Sequence, residues 1–342
     1  MARRARLNKE KKEEKPSLYF DNEDKQPVNV FSTGCTLLDC VLGGGFVFGR
    51  ISNIIGDNST GKTLLAIEAT ANFIRKFPDS YIVYAEAEAA FDEAYALSLG
   101  MPIDKVRFSE VFTVEDFYND LKETCKKAKE LEVPALYIVD SLDALSDVAE
   151  QEREFSDTTM GMSKAKKLSE LFRRIVKEMK GSNVTLIVIS QTRQNISPGF
   201  GVSYTVSGGS ALRFYCTHRI YLAHIKTLKQ TRNKIQRPIG IEIRAKCIKN
   251  KLDNPFRECD FPLIFGFGVD DVKANIEWLD SSGFLNEYDP ETSTRNALLN
   301  KIVDMEDKDY FAEMEKLRKF VMQKWKEIEL EFAPGRSKYK EV

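Results

Sequence analysis

The stretch ISNIIGDNSTGKTLLAIEATANFIRKF, Ile51 to Phe77, decides how this chain folds. An apolar run of strand character meets the spacing G-x-x-x-x-G-K-[ST], and a segment with helical periodicity follows. Glycines at Gly56 and Gly61 let the backbone turn tightly, so that successive N–H groups can surround a phosphate while the helix N-terminus adds a favourable dipole. Gly56, Asp57, Asn58, Ser59, Thr60, Gly61, Lys62, Thr63 and Leu64 are therefore the expected phosphate cradle. Lys62 is placed to reach the β- and γ-phosphates, and the Thr63 hydroxyl to ligate Mg²⁺.

On either side the same grammar continues. SYIVYAEAE, ALYIVDSLDAL and VTLIVISQ are apolar runs, separated by VEDFYNDLKETCKKAKEL and KAKKLSELFRRIVKEMK, which read as helices. Fully apolar strands alternating with helices predict an α/β fold with a mostly parallel central sheet covered on both faces. RIYLAHI and IGIEIRAKCIKNK follow, the second alternating Ile241, Ile243 and Ala245 with Glu242, Arg244 and Lys246, as suits antiparallel strands at the sheet edge. From about Val272 the chain is charged and helical. The expected division is a charged N-terminal arm over 1–28 that could pack against a neighbouring subunit, a core over 29–270 and a short helical C-terminal region over 271–342.

Composition excludes several classes. With 342 residues, 42% hydrophobic and 30% charged, the chain can bury a large core. No run is long and apolar enough for a membrane span, and the N-terminus lacks the apolar core of a signal peptide, so the expected location is cytoplasmic, without a membrane partner. The six cysteines form no C-x-x-C pair and read as reduced, buried thiols. A formal net charge of -1 argues against a generally basic nucleic-acid coat and leaves room for a local basic groove.

A phosphate cradle needs an acidic residue at a neighbouring strand end to hold the metal through water, and ALYIVDS supplies Asp140 there. Hydrolysis also needs a group to position or deprotonate water. Glu86 and Glu88, two apart at the end of SYIVYAEAE, are expected on one side of an extended chain, and the residues alone do not choose between them. Gln191, at the end of the next strand, is placed to sense a γ-phosphate and pass its state to the glycine-bearing loop that follows.

These motifs, with FSTGCTLLDCVLGGGFVFGRISNIIGDNSTGKT, AEAAFDEAYALSLGM, YIVDSLDAL, TTMGM, ISQTRQNISPGFGVSYTVSGGSALRFY and IKNKLDNPF in order, resemble the RecA-type bacterial DNA recombinases over about residues 30–270. The resemblance implies a RecA-like P-loop ATPase core using ATP and Mg²⁺. It assigns Glu88 as the catalytic glutamate, Asp92 and Tyr95 as contacts to adenine, Gln191 as the coupler of γ-phosphate to DNA, and Lys249 and Lys251 as lysines reaching the ATP of the adjacent subunit. Phe214 falls where the family packs an aromatic ring against a neighbour.

Two DNA-binding loops are implied. The first, Phe155 to Met162, carries Met160, Gly161 and Met162, with Lys164, Lys166 and Lys167 as possible additions to the same groove. The second, Thr192 to Gly209, carries Arg193, Ile196, Phe200, Ser207, Gly208 and Gly209, with Ser210 beside it. No acidic residue lies between Thr192 and Tyr215 in a chain with 52 of them, which suits a phosphate-lined path. The implied function is ATP-dependent homologous pairing and strand exchange by a helical filament, acting on single-stranded and double-stranded DNA. Implied partners are further copies of the chain, with single-strand-binding and mediator proteins, and the implied location is nucleoid-associated. A RecA-like regulator or loader without strand exchange, and a ring helicase motor, are the other readings. Departures from the family pattern are Glu93 where proline is common, the lysines of the first loop, the N-terminal segment and the region after 270, where only NIEWLDSSGFL continues the match.

Overall fold

The computed structural model describes residues 29–335 apart from 90, 147, 149–161, 197–201, 207–208 and 293. The N-terminal arm and most of the first loop lie outside the described residues.

The chain opens with a two-stranded ribbon, β1 (Val30–Phe31) and β2 (Phe46–Val47), around α1 (Thr36–Leu42). It then builds β3 (Ile51–Gly56), α2 (Lys62–Lys76), β4 (Tyr81–Glu86), α3 (Glu93–Ser98), β5 (Val106–Glu110), α4 (Val114–Leu131) and β6 (Ala135–Asp140). After α5 (Met162–Met179) come β7 (Val184–Ile196), β8 (Val202–Val206), α6 (Gly209–Tyr215), β9 (His218–Arg232), β10 (Ile235–Asn250), β11 (Glu258–Ile264) and β12 (Gly268–Val269). Four helices close the chain: α7 (Asp271–Ser281), α8 (Leu285–Tyr288), α9 (Arg295–Val303) and α10 (Asp307–Glu331).

One large sheet runs β12-β11-β10-β9-β3-β7-β6-β4-β5, with β8 attached to β7. From β9 to β5 neighbouring strands are parallel, while β10, β11 and β12 continue antiparallel. Apolar residues fill both faces with the expected period of two. On β6, Leu136 and Ile138 enter one core with α1, α2 and the C-terminal helices, while Tyr137 and Val139 enter the other with α4, α5 and α6. Each such side chain stabilises the fold by about 1.5–3 kcal/mol on burial.

Local chemistry sets the ends. Thr113 and Asp116 cap the start of α4 reciprocally, each side chain accepting the other's backbone N–H at 3.0 Å. Gly61 precedes α2 at φ 80°, and a Cβ there would fall 2.2 Å from Leu263 Cδ1, so a side chain would be strained at its own backbone and would displace that leucine. Strands β1, β2, β5, β8, β11 and β12 lie outside the runs read from the sequence, β5 and β12 because they are brief and lie at the sheet edges.

Candidate nucleotide and nucleic-acid site

The carboxyl ends of four adjacent strands, β3, β7, β6 and β4, carry the expected groups in a row. Gly56 is in register with Gln191, and Glu86 with Asp140. In a parallel sheet all these ends open on one edge, where ligands bind between diverging helices.

Gly56 is held by space, since a Cβ there would meet Thr60 Oγ1 at 2.4 Å and Leu222 O at 2.8 Å. Lys62 is buried and folds over its own loop, its Nζ donating to Asp57 O at 2.6 Å. Burial lowers its pKa from the usual lysine value, against the pull of Asp140 and Glu88. Thr63 Oγ1 donates to Asp140 Oδ2 at 2.8 Å, and the buried Tyr84 hydroxyl donates to the same oxygen at 2.8 Å. Burial raises the Asp140 pKa while those two donors hold it down. A hydroxyl and a carboxylate meeting beside a lysine amine is the hard-oxygen donor set that suits Mg²⁺ with phosphates, and the residues fit that group.

Glu86 and Glu88 do not share a side. The strand ends at Glu86, whose carboxylate accepts the N–H groups of Glu88 at 3.1 Å and Ala89 at 2.9 Å and so holds the turn. Glu88 swings past it, accepting Ser141 Oγ at 2.5 Å and Gln191 Nε2 at 3.1 Å. The two residues singled out for water activation and for sensing are therefore in direct contact. Gln191 is also anchored from below, its N–H donating to Asp143 Oδ2 at 2.6 Å. The Thr192 hydroxyl bonds to the Asp57 carboxylate, joining this strand to the phosphate loop.

A model of the RecA N-terminal domain matches residues 5–270. The chain belongs to the RecA family. Its function is that of a RecA-type recombinase. It is 33% identical over 282 residues to the protein named Protein RecA from Sulfurovum sp. (strain NBC37-1), covering 80% of this chain and 78% of that one. It is 36% identical over 275 residues to Protein RecA of a Nitratiruptor species, covering 78% and 77%. With Protein RecA of Sulfurimonas denitrificans the identity is 34% over 314 residues, covering 89% and 88%.

The RecA-type expectations meet the structure unevenly. Asp92 is the N-cap of α3, accepting the Tyr95 N–H at 2.9 Å, so it orients the half-buried Tyr95 as well as facing solvent. The second loop is largely a hairpin. β7 runs five residues past Gln191, so that Gln191 lies within the strand, and Arg193 and Ile196 pair with Thr205 and Val202 of β8. Pairing two short strands satisfies backbone groups that a loop would leave to solvent. Gly209 and Ser210 open α6, a helix where a loop was expected. Met162 opens α5, whereas Met160, Gly161, Phe200, Ser207 and Gly208 lie outside the described residues. Lys164 Nζ donates to Asp143 O at 2.9 Å and Lys167 pairs with Glu115 at 2.6 Å, so both bind protein groups and not an open groove.

Lys249 and Lys251 converge on the end of α6. Lys249 Nζ donates to the Arg213 and Phe214 carbonyls, the latter at 2.7 Å, and Lys251 Nζ to the Phe214 carbonyl at 3.2 Å. The Phe214 ring above them is 69% exposed. Tyr84, Ser141 and Asp143 were not anticipated. Tyr84 sits two residues before Glu86 on the same strand, and Asp143 belongs to the quoted SLD run, yet only the sheet register shows what each one touches.

Proposed function

We propose that this RecA-family chain is a DNA-dependent ATPase that assembles as a filament on single-stranded DNA and exchanges strands with a homologous duplex. The observation that carries this reading is the 3.1 Å contact between Gln191 and Glu88, because it joins the carboxylate of hydrolysis to the strand that leads into the second DNA hairpin.

ATP with Mg²⁺ supplies the phosphoryl chemistry when bound. Lys62 would leave the Asp57 carbonyl to neutralise phosphate charge, and Thr63 and Asp140 would hold the metal. Glu88, already fixed by Ser141 and Gln191, would orient the attacking water and accept its proton. A γ-phosphate oxygen would draw the Gln191 amide, which now donates to Glu88, toward the nucleotide, so its position would report whether triphosphate is present, and β7 would carry that state to Arg193 and the hairpin. In a neighbouring copy, Lys249 and Lys251 would turn from the end of α6 toward the transferred phosphoryl group. The expected division at about residue 270 would be a functional boundary only, since the C-terminal helices pack into the same core as α2 and β6.

The test is ATP hydrolysis with and without circular single-stranded DNA across a protein titration. The expected result is strong stimulation, cooperative in protein, that falls about 10³-fold in Lys249→Ala, the scale of a trans-acting cation. A rate indifferent to DNA would reject the reading in favour of a RecA-like regulator.

A further inference from the structure

β10 changes phase just before its two terminal lysines. Ile243, Ala245 and Cys247 alternate inward, are fully buried, and share a core with Val41 and Leu42 of α1. The same period would send Lys249 inward next and place an amine in that core. The pairing with β9 prevents this. Cys247 lies opposite Ile220 and Lys249 opposite Arg219, so Ile248 is the extra residue of a bulge. Beyond it the phase is reversed. Lys249 and Lys251 project on one side, where both amines reach the Phe214 carbonyl, at 2.7 and 3.2 Å. Asn250 takes the inward place.

That place suits an amide. Asn250 Nδ2 donates to Val41 O at 3.3 Å and Leu42 O at 3.2 Å, the last carbonyls of α1, where a helix runs out of its own donors. Asn250 Oδ1 accepts the N–H groups of Leu252 at 2.9 Å and Asp253 at 3.0 Å, which turns the chain after Lys251. The Lys251 N–H donates to Thr217 O at 3.2 Å and ties the same stretch to the base of β9. His218, fully buried, stands opposite Asn250 in the ladder, and burial pushes its pKa down to about 4, so the ring brings no charge to this seat. The turn and α1 are pressed together, for a Cβ on Gly43 would fall 2.9 Å from Asp253 Cβ. Neither alanine nor an ionised aspartate, which has no donors, could make both sets of bonds.

We propose that Asn250 is the positioning residue for Lys249 and Lys251. By bonding α1 on one side and its own turn on the other, it fixes the backbone from which both lysines swing between the end of α6 and a neighbour's nucleotide. This rests on the reading above that the two lysines act across a subunit junction. Long side chains rotate readily on a fixed backbone, whereas a reacting group misplaced by about 1 Å loses about 10²-fold in rate. Asn250 points away from the lysines, toward α1, and acts only through their placement.

ATP hydrolysis on circular single-stranded DNA by full-length variants, alone and mixed, tests this. Asn250→Ala should lower turnover about 10²-fold while a fluorescent ATP analogue binds within about twofold of the parent. Glu88→Gln lacks the proposed base and keeps the lysines, so a mixture supplies Glu88 from one variant and placed lysines from the other. Such head-to-tail junctions make up about a quarter of a random equimolar assembly, and the mixture should recover about that share of the parent's rate, far above either variant alone. A folding fault in the Asn250→Ala chain would not be rescued by a neighbour. Asn250→Asp keeps the acceptor for the turn, loses the donors to α1, and should behave in the same way. Parental turnover by Asn250→Ala would overturn the proposal, and so would aggregation of both Asn250 variants. Lys249→Ala mixed with Glu88→Gln separates the two readings. If that pair recovers and the Asn250→Ala pair does not, the positioning role alone fails; if the Lys249→Ala pair does not recover, the shared site itself fails.

Discussion

At the residue scale the site is a set of side chains each holding a neighbour ready. Glu88 is held by Ser141 and Gln191, and Asp140 by Thr63 and Tyr84. Glu88→Gln keeps the shape and removes the proposed base, so the turnover number should fall by about 10²–10⁴ with ATP binding retained; equal turnover in steady-state assays would remove Glu88 from the chemistry. Glu68 offers a pH test. It is half-buried at the back of α2, accepts the Val269 N–H at 2.7 Å, and burial raises its pKa to about 7. Since the folded-state value exceeds the unfolded one of 4.5, the fold prefers the protonated acid. That stability is fully present below about 4.5 and is lost as pH rises through about 7. Glu68→Gln, neutral at every pH, should therefore melt higher than the parent at pH 8 and close to it at pH 5. A melting difference that does not change with pH would show that this carboxyl is not strained by burial.

At the element scale the informative unit is α6 with the two lysines at its end. Helix carbonyls at a C-terminus lack partners, and Lys249 and Lys251 supply amines to those of Arg213 and Phe214. Lys249→Ala should cost the isolated chain only about 1 kcal/mol, the worth of a cap or hydrogen bond, even if hydrolysis by the assembly falls as proposed above. A collapse of the monomer's denaturation midpoint would mean that the lysine is structural first. Sequence patterning marked α4, α5 and the apolar part of β7 well, because a strand buried on both faces and a helix with one apolar stripe each leave a strong period. It did not mark the extension of β7 into β8. Those residues are polar and glycine-bearing, and their strand state comes from cross-strand hydrogen bonds, which sequence spacing does not display.

At the scale of the whole molecule, the C-terminal helices share the core of the nucleotide-binding sheet. Leu317 and Val321 of α10 are buried in the same cluster as Leu64, Ile67 and Ile138. Asp271 accepts the N–H and hydroxyl of Thr36 at 2.6 and 2.7 Å, while Arg318 reaches the buried Asp39 carboxylate at 3.5 Å. Leu317→Ala should thus destabilise the full chain by about 2–5 kcal/mol in urea denaturation. A change under about 0.5 kcal/mol, the level of an ordinary surface substitution, would mean that α10 is an appendage.

The sequence by itself determined that this chain is an α/β nucleotide-binding protein with its phosphate loop at Gly56 to Thr63, since glycine spacing and apolar period are local properties of the chain. It also singled out Asp140 and Gln191 and left Glu86 and Glu88 as a pair, while Glu88, Lys249 and Lys251 were picked out only through the RecA resemblance. Tertiary structure alone decided that Glu86 holds a turn while Glu88 reaches Gln191, and that Tyr84 and Asp143 belong to the network. Those outcomes depend on which strands become neighbours and in what register, and pairings between residues so distant along the chain are made by the folded sheet.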